Sequence, residues 1–213
     1  MRTILFTGFD DAYKPLAELT VPLMLSYASR HGFDFKCYRS PIIDVPNGIY
    51  WTGICGALDA FRDYDRVIYL DADQMITNPE IVPQVAETGV AISKDWGADA
   101  VEPWHFSMCG WIAFKNAAVL FCKVIEKEPH WRDRPFPEQA PMQDMYWNVP
   151  WVPPMVQVHD RRMFNAVPKE VSTSVQEPWQ PGDFCAHLTM LGLPDRILLF
   201  HKIKAQNEMV VEA

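Results

Sequence analysis

Two carboxylates one residue apart, Asp71 and Asp73, follow the apolar run Val67-Ile68-Tyr69-Leu70. The run reads as a buried strand, and in open α/β sheets the carboxyl ends of strands face the crevice where ligands bind. Paired hard oxygen donors there suit Mg²⁺ or Mn²⁺, and such an ion can hold a diphosphate. Asp-x-Asp also arises by chance, and an acid after a strand often does no more than cap a turn. Asn78-Pro79 reads as a helix N-cap and first helical residue, which leaves a short, surface-facing loop between Asp71 and Asn78.

Three later segments add groups of the right chemistry. Asp160 to Ala166 combines the basic pair Arg161-Arg162 with Phe164 and Asn165, and Gln143-Asp144 precedes Met145-Tyr146-Trp147-Asn148. Gly182-Asp183-Phe184-Cys185-Ala186-His187 sets a histidine at the end of a short apolar strand. A neutral imidazole can complete a carboxylate-rich Mn²⁺ site. Taken alone, His187 reads better as a core histidine bonded to backbone.

These residues need a scaffold, and the first half of the chain describes one. Thr3 to Phe6 is a short apolar strand; Leu16, Leu19, Leu23, Met24 and Tyr27 fall at helical spacing, with a stop near His31-Gly32. Phe33 to Tyr38 reads as a second strand, Ile54, Leu58 and Phe61 as a second helix, Arg66 to Leu70 as a third strand and Val90 to Ser93 as a fourth. Strand-helix alternation of this kind predicts a mostly parallel sheet with right-handed crossovers. Further on, Trp111 to Phe114 is a strand and Ala117 to Lys127 a helix, and the Pro- and Trp-rich stretch from Pro129 to Pro154 is expected to form ordered, irregular loops. No linker divides the chain. The expectation is one α/β domain over residues 1–213, with a nucleotide half (about 1–93) and an acceptor half (about 94–213).

Bulk properties narrow the partners. With 19 basic and 27 acidic residues the net charge is -8, which argues against a general binder of nucleic acid or anionic membranes. No segment has the length of a membrane span. The 5 cysteines are odd in number and scattered, so reduced, mostly buried thiols and a reducing compartment are expected. The chain reads as a soluble, cytoplasmic protein or as a catalytic domain cut from a longer one.

In this order, Asp71-Ala72-Asp73, Gln143-Asp144, the Arg161 to Asn165 segment and Gly182 to His187 resemble the GT-A glycosyltransferases, and most nearly the retaining galactosyl/mannosyl-transferase group. The resemblance spans about residues 3 to 200. It implies a single GT-A domain with a Rossmann-like sheet, a nucleotide-sugar donor (a UDP-sugar first of all), a carbohydrate acceptor and transfer with retention. It also implies metal ligation by Asp71, Asp73 and His187. Arg196 stands in the family's phosphate loop as part of Asp195-Arg196, where the group often has Lys. Thr7 and Gly8 in the first turn fall where backbone meets the nucleobase edge, Tyr13 where a ring could stack on it, and Ala72 beside the donor. Asp144, Asp95 and Gln143 are the polar groups expected near the transferred sugar, since carboxylates can stabilise an oxocarbenium-like centre. Trp96, Trp104, Trp147, Trp151 and Trp179 lie in expected loops and offer flat faces to sugar rings, whereas Trp111 reads as core. Two alternatives stay open: a non-catalytic nucleotide-sugar-binding module, and a haloacid-dehalogenase-type phosphatase with Asp71 as nucleophile.

Overall fold

The computed structural model describes residues 1–95, 106–134, 136–171 and 177–211, with the backbone alone for 208–211. The strands are β1 (Thr3–Gly8), β2 (Asp34–Tyr38), β3 (Arg66–Leu70), β4 (Gln74–Ile76), β5 (Val90–Lys94), β6 (Phe106–Phe114), β7 (Val156–His159) and β8 (Cys185–His187). The α-helices are α1 (Lys14–Arg30), α2 (Thr52–Ala60), α3 (Ala118–Ile125), α4 (Glu128–Trp131), α5 (Gln139–Asn148) and α6 (Leu193–Val211).

Six strands form one sheet in the order β2-β1-β3-β6-β5-β7. β1 pairs in parallel with β2 and β3, and β5 with β7; β6 runs antiparallel to both β3 and β5. The sheet is thus mixed but mostly parallel. Its inner strands β1, β3, β5 and β6 are almost wholly buried because both faces are covered. Ile4, Phe6, Val67, Tyr69, Val90, Ile92 and Trp111 pack on one side against α2, α3 and α5. The alternate residues Leu5, Ile68, Leu70, Ala91 and Ile112 pack on the other against α1 and the Phe164 and Phe184 rings.

Small residues let α2 lie close on the sheet. A Cβ at Gly56 would sit 2.5 Å from Phe6 Cε2, one at Gly53 3.0 Å from Tyr69 Cε1, and one at Gly8 2.4 Å from Thr52 Cγ2. The ends of β1 and β3, and the start of α2, therefore meet at one place, and the candidate site lies there.

Three sequence expectations are corrected. Asn78-Pro79 starts no helix: Asn78 Oδ1 does accept the Glu80 N–H as a cap would, but the Thr77 and Asn78 N–H groups both go to Phe184 O, and residues 81–86 run on without helix or strand. The segment after Asp71 is no surface loop either, since Asp73 to Ile76 are buried, and β4 within it pairs with β8. Pro129 to Pro154 includes most of α4 and the whole of α5; a proline sits in the first turn of each helix, where its missing N–H costs nothing.

The α2 contact gives a test. Gly56→Val should lower stability by about 1–3 kcal/mol through overpacking against Phe6, read from the denaturation midpoint. An unchanged midpoint would show that α2 does not press on β1.

Candidate active site

The short β4–β8 ladder builds the site. Gln74 pairs with His187, Met75 with Ala186 and Ile76 with Cys185. Flanking bonds extend it: Leu188 N–H donates to Asp73 O at 2.9 Å, and His187 N–H to Ala166 O at 2.8 Å. At the other end of the turn, Asp71 N–H reaches Cys109 O at 2.8 Å and Gln74 Oε1 at 3.1 Å. Backbone on both sides thus fixes where the acids and the imidazole point.

Asp71, Asp73 and His187 each bring one ligand atom to within 4.8 Å of the others. His187 Nδ1 faces Asn165 Oδ1 at 2.7 Å, and Asn165 in turn gives its amide to Lys94 O at 3.2 Å. That leaves His187 Nε2 toward the acids, 3.3 Å from Asp73 Oδ1. The geometry is not that of a hydrogen bond, so this buried oxygen has no hydrogen-bond donor. The other Asp73 oxygen accepts from Arg196 Nη1 at 2.7 Å. Asp71 accepts a short hydrogen bond from the buried Tyr69 hydroxyl.

Charge is unevenly shared. Burial and the neighbouring Asp73 push Asp71 up to about 7. Burial also pushes Asp73 up, but His187 and Arg196 outweigh it and hold that carboxyl below its usual value. Burial works against the charged His187 imidazole, while Cys109 and Asp73 outweigh it and raise its pKa well above the ordinary one.

The cluster opens into a cavity of about 950 Å³. Of the sequence candidates, Gly8, Tyr13, Asp71, Ala72, Asp73, Asp95, His187 and Arg196 all line it. Thr7 does not; it is buried in β1. Gln143 and Asp144 are not among its lining either: the Gln143 amide donates to Phe106 O at 2.8 Å, and Asp144 Oδ2 accepts from Lys127 Nζ at 3.0 Å. Among the tryptophans, Trp179 is core, with its indole N–H on Thr77 Oγ1 at 3.1 Å; Trp111 lines the inner wall; Trp147 and Trp151 are exposed away from the cavity. Trp96 and Trp104 lie outside the described residues.

No protein-family model matches this sequence, and no curated protein matches it. Solved structures do match. A glycosyltransferase involved in glycosylation of the major capsid of PBCV-1 superposes with TM-score 0.69 at 17% identity, over 94% of this chain and 100% of that one. The galactosyltransferase LgtC, solved with donor and acceptor sugar analogues, gives 0.59 at 13% over 93% and 95%. The glycosyltransferase GlyE of Streptococcus pneumoniae gives 0.57 at 12% over 97% of this chain and 63% of its own. The fold is GT-A.

On this GT-A fold the acid missed in the sequence is Glu138. It lines the cavity with Gln139, its Oε2 is buried without a hydrogen-bond partner, and burial above all pushes its pKa up to about 8. Gln139 Oε1 accepts from Met108 N–H at 3.0 Å and its amide donates to Asp95 Oδ2 at 3.3 Å. Gln143, one helical turn on, bonds to the same strand at Phe106 and does not line the cavity. Glu138-Gln139 carries the same carboxylate–amide signal as Gln143-Asp144, so only the start of α5 decides between them. Tyr69 and Asn165, which hold Asp71 and His187, were legible as strand and loop residues but not as their partners.

The raised Asp71 value has a stability consequence. Folded Asp71 holds its proton to about 7, whereas an unfolded aspartate loses it near its ordinary 3.8. Ionising it therefore disfavours the fold increasingly as pH rises from about 4 to about 7, and the effect levels off above that. In chelator, Asp71→Asn should raise the melting temperature, with a gain that grows over that window and then stays constant. A gain independent of pH would show that Asp71 is not held protonated.

Proposed function

We propose that this chain is a metal-dependent hexosyltransferase. It moves a sugar from a nucleoside-diphosphate sugar, a UDP-sugar first of all, to a hydroxyl of a glycan or other acceptor. The observation that carries this reading is the meeting of Asp71, Asp73 and His187 in the wall of a large cavity on a GT-A fold. We further propose one domain, with the nucleotide mainly on residues of the first half and the acceptor mainly on residues of the second.

The donor set fits a divalent ion, Mn²⁺ or Mg²⁺. Two carboxylates and an imidazole suit Mn²⁺ best, and the buried Asp73 Oδ1 lacks any hydrogen-bond donor. Asn165 would act as the outer partner that orients His187. An ion held there supplies Lewis-acid charge for the departing diphosphate. Arg196, fixed beside Asp73 with its guanidinium over the Tyr13 ring at 5.4 Å, lies where it can add a second cation to that diphosphate. Gly8, Tyr13 and Ala72 line the neighbouring wall and would take the nucleoside side of the donor.

Near the sugar we place Glu138, Gln139 and Asp95. Glu138 is neutral near neutral pH and can donate a hydrogen bond to a sugar hydroxyl, while Asp95 can accept one. Their acceptor oxygens gain most when positive charge develops on the ring. Retention follows the resemblance to the galactosyl/mannosyl-transferase group. On that path the acceptor hydroxyl gives its proton to the departing phosphate oxygen. The anomeric carbon loses its bond to phosphate and gains one to the acceptor oxygen on the same face, so no strong general base is required. The phosphatase alternative fits poorly, because a carboxyl that is hydrogen-bonded to Tyr69 and protonated to about 7 is a weak nucleophile.

Free nucleotide released from UDP-sugars in Mn²⁺ tests the assignment. Excess chelator should abolish release and added Mn²⁺ restore it, and Asp73→Asn should cut turnover by on the order of 10² or more. Release that persists in chelator would contradict the proposal. The two acid candidates separate in the same assay. Glu138→Gln should lower kcat by roughly 10², whereas Asp144→Asn, outside the cavity, should leave it within about twofold. The reverse ranking would return Asp144 to the sugar site.

A further inference from the structure

Among the described residues, three that are not glycine have positive φ: Asn47 (57°), Phe136 (53°) and Met190 (64°). All three line the same cavity as the acid cluster. Asparagine tolerates this conformation, but a phenylalanine or methionine rarely adopts it, and each such residue costs about 1–3 kcal/mol. Both are also exposed, Phe136 by 64% and Met190 by 61%, so no burial of their side chains compensates. Tyr50, 52% exposed, completes the lip.

Hydrogen bonds on either side hold this lip in place. Asn47 Nδ2 donates to Arg132 O at 2.9 Å, tying the loop before α2 to the segment that leads to Phe136. Phe136 O accepts the Ala140 N–H at 2.9 Å at the start of α5. Leu188 N–H donates to Asp73 O, and Leu191 O accepts from Arg196 Nε at 2.7 Å, so the segment that carries Met190 is tied down on both sides. Left-handed residues persist where their surroundings over-determine them, and they concentrate at ligand clamps.

We propose that Phe136, Met190 and Tyr50 form the acceptor subsite and select a glycoside whose unit beyond the reacting hydroxyl presents a flat apolar face. The inference rests on the sugar-transfer reading above. The same cavity also presents the polar groups Glu138, Gln139 and Asp95, whereas Phe136, Met190 and Tyr50 offer apolar and aromatic surface. A glycoside matches both: its reacting sugar offers hydroxyls to the polar groups, and the C–H face of the next ring, or an aryl aglycone, lies on the lip. An acceptor with charge at that position would find no partner on these three side chains. The cavity, about 950 Å³, lies at the upper end of the range for single-ligand pockets, as a site shared by a donor and an acceptor requires.

The test uses the whole chain saturated with Mn²⁺ and UDP, with calorimetry establishing that this complex forms. Phenyl and methyl β-glycosides of galactose, glucose and mannose are the probes, and their binding is read by ligand-observed NMR. The phenyl glycoside of whichever hexose binds should bind about tenfold tighter than its methyl counterpart, an aromatic contact of ordinary size. Phe136→Gly and Met190→Gly should each erase that preference. Both should keep or raise the melting temperature, since glycine relaxes a left-handed backbone, and both should leave the affinity for Mn²⁺ and UDP unchanged. Equal binding of phenyl and methyl glycosides, binding of neither, or a preference that survives both substitutions would overturn the subsite while leaving the transfer reading intact. Failure of Mn²⁺ and UDP to bind at all would overturn both.

Discussion

The structure depends on a three-residue ladder. β4 and β8 are more than a hundred residues apart in sequence, yet their pairing sets Asp73 and His187 side by side and closes one wall of the cavity. Each strand alone is too short to be stable, and the ladder persists because its flanks are tied to Ala166, Cys109 and Phe184 by further backbone bonds. Met75, Ala186 and Leu188 then bury their side chains with α1 and α6. The cluster of acids is thus a product of tertiary pairing, although its two carboxylates are near neighbours in sequence.

Two acids so close together and so poorly hydrated are unfavourable, and the protein answers the charge unevenly. Asp73 receives Arg196 and His187; Asp71 receives a neutral phenol and remains protonated to about 7. The two carboxyls are thus answered by different means, and Asp73 Oδ1 is left without a hydrogen-bond donor. On the proposed reading an acidic chain meets a diphosphate through a local correction, from Arg196 and the cluster, and needs no basic surface.

Much of this was legible from periodicity. The apolar runs at 3–6, 67–70 and 90–93 became the central strands, and the helical spacing of Leu16 to Tyr27 became α1. Asp71, Asp73 and His187, to which the motif order pointed, do come together in space. Where sequence reading failed, a long-range contact decided. Asn78 looked like a helix cap, but its own N–H and that of Thr77 are claimed by Phe184 O. Glu138-Gln139 and Gln143-Asp144 are chemically alike, and one turn of α5 separates the pair that lines the cavity from the pair that does not. Trp179 does lie outside helix and strand, but its ring is buried and its indole N–H is held by Thr77. Left-handed Phe136 and Met190 leave no signature in residue type, since neither is a residue that favours that conformation.

The central claim is that His187 and the two aspartates hold a divalent ion. Pulsed electron paramagnetic resonance of Mn²⁺ bound to protein carrying ¹⁵N-histidine, with UDP present, reads this directly. The account predicts a single directly coordinated histidine nitrogen in the wild type and its loss in His187→Ala. Bound Mn²⁺ with no nitrogen coupling, or a coupling that survives His187→Ala, would contradict it.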